Sequence, residues 1–272
     1  MTRIITVANQ KGGVGKTTST VNIAAAIAQA GHRVLVVDLD PQGNASTALG
    51  AVHHEGTPSV YEVLGGELGL TDVLQECPEI PGLWAAPATI DLAGAEIELV
   101  AQVAREYRLR RAVDALLAVR DFDFVFLDCP PSLGLLTLNG LVAAREVLLP
   151  IQCEYYALEG LSQLLRTVEM VRTHLNPDLA VSAILLTMYD GRTRLASQVA
   201  DEVRTHFGAQ VLDTVIPRSV RVSEAPSYAQ TVVTYDPTSS GALAYREAAA
   251  QVMGQGTGAV AGQSSTGLST DI

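Results

Sequence analysis

The sequence predicts an α/β protein with a doubly wound, mostly parallel sheet and helices on both faces. Short apolar runs rich in β-branched residues alternate along the chain with longer helical patterns, as expected of parallel strands joined by crossover helices. The first of these runs leads directly into a glycine-rich turn and then a helix. That order is typical of proteins that bind phosphate groups at the end of a strand.

The elements follow from these patterns in chain order. Strands are expected at residues 3–9, 33–40, 123–132, 146–152, 179–187 and 210–217. Helices are expected at residues 17–30, 96–120, 157–174, 194–207 and 241–253. The stretch from about residue 41 to residue 95 is looser, with short helical and extended pieces such as GLWAAPAT.

The chain is expected to form one domain over residues 1–253. Its 272 residues suit a single large α/β domain, and neither an internal repeat nor an internal boundary is evident. Residues 254–272 are small and polar, so we expect a disordered tail.

Composition narrows the class of protein. With 48% hydrophobic and 17% charged residues the chain is globular. A net charge of −11 argues against a surface covered in basic groups, although it leaves room for a local basic patch. No apolar run is long enough for a membrane span or a signal peptide, so a cytoplasmic protein is expected. The three cysteines form no metal or disulfide pattern.

Residues 9–18 read NQKGGVGKTT and contain the only two lysines of the chain, Lys11 and Lys16. Glycines let successive backbone N–H groups point at phosphate oxygens, and the following helix adds its positive N-terminus. In such a loop Lys16 would reach the β- and γ-phosphates, Thr17 would bind Mg²⁺ and Thr18 would contact the α-phosphate. The expected nucleotide-binding residues of the loop are Lys11, Gly12, Gly13, Val14, Gly15, Lys16, Thr17 and Thr18.

Three carboxylates at strand ends could complete this site. Asp38 and Asp40 follow one predicted strand and Asp128 ends another, and the carboxyl ends of parallel strands converge on the ligand edge of a doubly wound sheet. Asp128 is therefore the candidate Walker B residue for Mg²⁺, with Asp40 and Thr17 as further candidates. For each carboxylate, and most of all for Asp38, a second interpretation stays open: it could satisfy a nearby helix N-terminus.

The loop departs from the general pattern G-x-x-x-x-G-K-[ST], because Gln10 stands where glycine is expected. KGGVGKT instead resembles the deviant Walker A motif of the ParA/MinD ATPases, which are P-loop NTPases. Further motifs, above all DLDPQGN and EYYALEG, resemble the chromosomal ParA/Soj type, and the resemblance covers about residues 2–253. Cys129 stands where that family usually has alanine, a change between small residues.

The resemblance implies an ATPase that uses ATP and Mg²⁺ and forms a homodimer when ATP is bound. It implies that Lys11 reaches the partner's nucleotide across the dimer, that Asp40 positions the hydrolytic water, and that Asp38 lies near the outer shell of the metal. A loop with Pro217 and Ser219 would bind the base. Arg192 and Arg221 would contact the phosphates of non-specific double-stranded DNA. A ParB/Spo0J-type partner would stimulate a slow hydrolysis, and the protein would associate with the nucleoid to segregate a chromosome or plasmid.

Two other functions remain open. A MinD-like membrane-associated positioning ATPase would end in a basic amphipathic helix, whereas this chain has no Lys or Arg after Arg246. A metabolic enzyme of the same fold would need a pocket for an acid substrate, which the sequence does not locate. Iron–sulfur relatives need clustered cysteines, which are also missing.

Overall fold

The computed structural model describes residues 1–154 and 157–255, and only the backbone of residues 157–160. Within this part of the chain the centre is an eight-stranded sheet in the order β3-β4-β2-β5-β1-β6-β7-β8. The strands are Arg3–Val7 (β1), Val34–Asp38 (β2), Gln75–Glu76 (β3), Leu83–Ala86 (β4), Phe124–Asp128 (β5), Glu146–Gln152 (β6), Ala180–Tyr189 (β7) and Val211–Pro217 (β8). All neighbouring strands are parallel except β3 and β4. The predicted fold class is confirmed.

Helices connect the strands and cover both faces of the sheet. They are Lys16–Gln29 (α1), Asn44–Ala48 (α2), Val60–Gly65 (α3), Leu70–Val73 (α4), Leu92–Glu98 (α5), Arg108–Leu117 (α6), Leu135–Ala143 (α7), Ala157–His174 (α8), Arg194–Phe207 (α9), Val220–Glu224 (α10), Val232–Tyr235 (α11) and Ser240–Gln255 (α12). No helix in the described ranges is both long and apolar enough to cross a bilayer.

The core consists of two layers, one on each face of the sheet. Ile4 belongs to the layer under α3 to α9, whereas its neighbour Ile5 belongs to the layer under α1 and α12. Consecutive residues of a strand point to opposite faces, and both faces are covered here, so the strands read as continuous apolar runs. This explains why the strands were recognisable without a polar alternation.

The strand order positions the site. The chain leaves β1 for β2 on one side of it and later places β6 on the other side, so β1 lies at the point where the winding reverses. In the register of the sheet, Asp128 at the end of β5 is aligned with Val7 of β1 and with Asp38 of β2. The glycine loop and the predicted carboxylates therefore meet at one edge.

All six predicted strands are present, but the continuous helix predicted over residues 96–120 is wrong. The backbone is extended at Gln102 and left-handed at Ala104, with φ 52°, so α5 and α6 are separate. Neither a glycine nor a proline signals this break in the sequence. At the start of α6, after the break, the guanidinium of Arg108 donates to the carbonyls of Leu64 and Gly65, which lie far away in the sequence.

The sequence did not predict α7 or β3, and it marked β4 only as part of the loose piece GLWAAPAT. Most residues of α7 are buried, polar Asn139 among them, so its sequence lacks the one-sided apolar pattern that marks a surface helix. The strand β4 is only four residues long and is followed by Pro87, features that also suit a loop. Helix α12 continues through residues 254 and 255, the first two of the predicted tail, and the rest of that tail lies outside the described residues.

Candidate functional site: a phosphate loop beside two acidic strand ends

The glycine loop joins β1 to α1 and exposes backbone N–H groups at the site edge. Gly13 and Gly15 have φ of 75° and 86°, a left-handed conformation that side chains other than glycine rarely adopt. Helix α1 begins at Lys16, and no side chain caps its N-terminus. The first N–H groups of α1 are therefore available to an anion, and the helix dipole favours one there.

The two lysines of this loop occupy different environments. Lys16 is only 6% exposed, and its Nζ donates to the carbonyl of Lys11 at 3.3 Å. Burial lowers the pKa of Lys16, while the nearby carboxylates of Asp128 and Asp40 raise it. The Lys11 side chain is 38% exposed and forms an ion pair with Glu154 of the same chain, with Nζ 3.1 Å from Oε2. Lys16 is thus aimed into the site, whereas Lys11 is held at its rim.

Hydrogen bonds to β6 and β7 fix the shape of the loop. Asn9 donates through Nδ2 to the carbonyl of Pro150 at 2.7 Å and accepts from the N–H of Lys11 at 3.0 Å. The Thr187 hydroxyl, at the end of β7, donates to the carbonyl of Val14 at 2.8 Å. Asn9 and Thr187 were not predicted as site residues, because each makes a bond to a residue more than a hundred positions away.

Asp128 lies at the centre of the acidic edge and is fully buried. It accepts hydrogen bonds from the hydroxyls of Thr17 at 2.7 Å and Thr20 at 2.8 Å. The pKa of Asp128 is raised to about 6, chiefly by burial. The two hydrogen bonds and the charge of Lys16 oppose this rise. Thr17 and Asp128 provide a hydroxyl and a carboxylate side by side, the oxygen ligands that Mg²⁺ prefers. Thr20 was missed from the sequence, since a helical threonine one turn after the loop carries no signal of its own.

Asp38 serves mainly as an anchor for the loop that follows β2. It accepts from the N–H of Asp40 at 3.1 Å, the N–H of Ser46 at 2.9 Å and the hydroxyl of Ser46 at 2.8 Å. Burial and the nearby charge of Asp128 raise the pKa of Asp38 to about 7. Ser46 lies in the first turn of α2, so the open interpretation of Asp38 as a partner of a helix N-terminus fits these bonds.

Most predicted nucleotide-binding residues line one cavity of about 510 Å³. They are Gly12, Gly13, Gly15, Lys16, Thr17 and Thr18, and Asp40, predicted as a catalytic and metal-binding residue, lines the same cavity. Lys11 and Val14 of the loop do not line it. Pro217 and Ser219 do not line this cavity. The part of the chain just after them contributes a wall of the cavity instead. This wall consists of Val222, Ser223, Ala225 and Pro226, on α10 and the turn that follows it. The apolar character of that wall suits a flat ring better than a phosphate.

A buried asparagine links the loop helix to the far end of the chain. Asn22 on α1 donates to the carbonyl of Thr18 at 2.7 Å and accepts from the N–H of Val232 at 2.7 Å. It also lines the cavity. This residue was another that the sequence alone did not identify.

The two arginines predicted to contact DNA lie outside the cavity, and both are ion-paired within the chain. Arg192 pairs with Asp190 at 2.8 Å, and Arg221 lies 3.1 Å from Glu224 and 3.4 Å from Asp236. Hydrogen bonds from the Arg192 side chain and backbone lower the pKa of Asp190 to about 2. These arginines are thus exposed but not free.

Comparison with known proteins agrees with this geometry. The profile of a family described as an AAA domain matches residues 2–181. The chain is 51% identical to the sporulation initiation inhibitor protein Soj of Bacillus subtilis over 94% of this chain and 100% of that protein. It is 50% identical to the chromosome partitioning protein ParA of Caulobacter vibrioides over 92% of this chain and 94% of that protein.

Solved structures extend the similarity to other functions on this fold. A cobyrinic acid a,c-diamide synthase from Mycobacterium smegmatis, with bound ADP and magnesium, is 43% identical with a TM-score of 0.82, covering 95% of this chain and 96% of that one. The septum site-determining protein MinD from Pyrococcus horikoshii, complexed with Mg-ADP, is 27% identical with a TM-score of 0.74, covering 93% and 96%.

Proposed function

The chain belongs to the ParA/Soj family of chromosome-partitioning ATPases, and from that premise we propose that it is a nucleotide-controlled switch that dimerises with ATP and holds DNA. It is an ATPase, and its substrate and metal are ATP and Mg²⁺. The single observation that carries the proposal is the unequal placement of the two lysines, one buried in the cavity and one at its rim.

The cavity accounts for nucleotide binding. The N–H groups of Gly12 to Thr18 and the ammonium of Lys16 would hold the phosphates, and the apolar wall at Val222 and Pro226 would hold the base. Thr17 and Asp128 would hold Mg²⁺. Bound Mg²⁺ supplies positive charge that stabilises the transferring phosphoryl group.

Asp40 is the candidate for orienting the attacking water. Its carboxylate is nearly buried, lines the cavity and accepts from the N–H of Gln42 at 3.0 Å. That backbone bond holds one oxygen in place and leaves the other able to accept from a water molecule. Asp40 is also proposed as a further Mg²⁺ residue beside Thr17 and Asp128, as expected from the sequence. The turnover of such a switch is expected to be slow.

Lys11 is the candidate for the contact between two copies. It is held in cis by Glu154 through a partly exposed ion pair, which is weak enough to be exchanged. We propose that in the ATP-bound homodimer its ammonium moves to the terminal phosphate of the partner's nucleotide. Hydrolysis removes that phosphate, so the attraction between the copies is lost.

Arg192 and Arg221 are the proposed DNA contacts. Phosphate contacts carry no sequence information, so binding would be non-specific and sensitive to salt. Dimerisation brings two such surfaces together, which would retain the protein on the nucleoid despite a net charge of −11. On the strength of the family alone, a ParB/Spo0J-type partner is proposed to stimulate hydrolysis.

The decisive experiment measures DNA retention with ATP, with ADP and without nucleotide over a salt series. Retention with ATP only, falling steeply with salt, supports the switch. Asp40→Ala should prolong retention, because the ATP-bound dimer can no longer hydrolyse its nucleotide. Equal retention in all three nucleotide states, or normal hydrolysis by Asp40→Ala, would contradict the proposal.

The similarity to the diamide synthase structure favours a second candidate, a metabolic ATPase. Two assays separate the candidates: stimulation of ATP hydrolysis by DNA, and ATP-dependent conversion of cobyrinic acid to its a,c-diamide. Product formation without stimulation by DNA would favour the metabolic enzyme. Pelleting with liposomes and ATP tests the MinD-like membrane alternative in the same way.

A further inference from the structure

The arginines proposed to hold DNA already have partners of the kind that DNA would replace. The Nε of Arg192 donates to Oδ1 of Asp190 at 2.9 Å, and its Nη2 donates to Oδ2 at 2.8 Å. This bidentate contact has the geometry in which a guanidinium also binds a phosphate. Asp190 therefore occupies the Nε–Nη2 edge of the guanidinium, one of the edges through which Arg192 could bind a DNA phosphate.

Arg221 is engaged in a similar way from two directions. Its Nη1 donates to Oε2 of Glu224, one turn later on α10, at 3.1 Å. Its Nε lies 3.4 Å from Oδ2 of Asp236, which follows α11. Neither arginine therefore presents an unopposed positive charge.

Both sets of contacts can exchange. The side chain of Arg192 is 89% exposed and that of Asp190 is 26% exposed, while the side chains of Arg221 and Glu224 are 56% and 43% exposed. Ion pairs in water contribute only about 0–1 kcal/mol. A phosphate can thus displace these carboxylates, but its own contact is weakened by the pair it must break.

We propose that Asp190, together with Glu224 and Asp236, competes internally with DNA phosphate and keeps the DNA affinity of a single chain low. This inference rests on the proposed function, and it adds a reason why retention would need two copies. A single self-neutralised surface binds weakly, whereas two joined surfaces multiply their affinities.

The sharpest test is Asp190→Asn. Oδ1 of Asp190 also accepts from the N–H of Arg192 at 3.1 Å, and an asparagine oxygen can keep that turn while the charge is lost. Asp201→Asn on α9 is the matched control, because Asp201 is exposed and has no ion-pair partner within the described ranges. DNA affinity would be measured by fluorescence anisotropy of a labelled duplex, with ATP and the full chain.

The Asp190→Asn protein should bind DNA roughly three- to fivefold more tightly than the Asp201→Asn control for each Arg192 that contacts the duplex. This is the range that the loss of one surface ion pair allows. In an Arg192→Gln background this gain should disappear, because the arginine that is released is no longer present. A gain equal to that of the control, or one that persists without Arg192, would overturn the inference.

Glu224→Gln applies the same test to Arg221, should Asp190→Asn fold poorly. Its gain should be smaller, since Asp236 still contacts the guanidinium, and no gain over the Asp201→Asn control would count against the inference. If the wild-type protein shows no ATP-dependent DNA binding at all, the proposed function itself fails. Binding by the wild type with unchanged affinity in both variants removes only the internal competition.

Discussion

The nucleotide edge and the arginine surface use charged side chains in opposite ways. At the edge, Asp38 and Asp128 are buried, and each accepts hydrogen bonds from fixed donors. At the surface, Arg192 and Arg221 are exposed and contact carboxylates of neighbouring turns. Buried polar groups that lose a partner carry a large desolvation cost, whereas exposed pairs exchange with little cost.

The difference indicates how each region works. The buried edge is arranged before a ligand arrives, because three adjacent strands of the sheet end there in register. The surface contacts must be remade for each ligand, which suits reversible retention on DNA. Lys11 resembles the surface rather than the edge, since its ammonium is partly exposed and ion-paired.

The largest expected effect comes from the buried lysine. Lys16→Ala removes the ammonium that opposes Asp128 and Asp40 in the cavity, so ATP affinity should fall by roughly 100-fold, as for loss of a strong charge-assisted bond. Titration with a fluorescent ATP analogue measures it. Lys11→Ala is the matched variant: it should bind ATP within about threefold of wild type but fail to dimerise in light scattering. Equal loss of ATP binding in both would remove the distinction between the lysines.

A smaller effect is expected at the surface. Arg221→Glu should weaken ATP-dependent DNA binding by about tenfold or more, because it reverses a charge beside the DNA phosphates. Arg172→Glu is the control, since Arg172 forms the same i,i+3 ion pair, with Glu169 on α8. An equal loss in both variants, measured by anisotropy at one salt concentration, would mean that net charge rather than position controls binding.

The anchoring of the edge predicts a change in stability. Ser46→Ala should lower the free energy of unfolding by about 1–3 kcal/mol, because the carboxylate of Asp38 loses a donor and the N–H of Ala88 loses its acceptor. Urea denaturation of the nucleotide-free protein measures it. Ser182→Ala, which removes only a long bond of 3.5 Å, should change stability less. A comparable change in the two variants would show that the hydrogen bonds of Ser46 to Asp38 and Ala88 add no more to the free energy of unfolding than the one long bond of Ser182.

The raised pKa of Asp38 predicts a pH dependence. Unfolded, this carboxyl releases its proton near pH 4, whereas folded it does so near pH 7 because of burial. Between these values the folded state binds more protons than the unfolded state, so the free energy of unfolding should fall as pH rises from about 4 to 7. Urea denaturation at pH 5, 6, 7 and 8 would detect this, and Asp38→Asn should flatten the slope. A slope unchanged by Asp38→Asn would mean that the pKa of Asp38 is not raised in the folded protein.

Local patterns predicted most of the fold. The helices over residues 157–174 and 194–207 and the strand over 146–152 agree with the structure because their apolar periods are complete within each segment. Helix α7 and the break before α6 could not be predicted in this way. The first is buried among other helices, and the second depends on contacts of Arg108 with residues more than forty positions away.

By itself, the sequence determined the glycine loop, its two lysines and the acidic strand ends, since each is written within a few consecutive residues. Only the tertiary structure decided the partner of each charge. Thr20 meets Asp128 across 108 positions, and Lys11 meets Glu154 across 143. Such pairings depend on the order of strands in the sheet, and strand order is a property of the packed chain that no local pattern specifies.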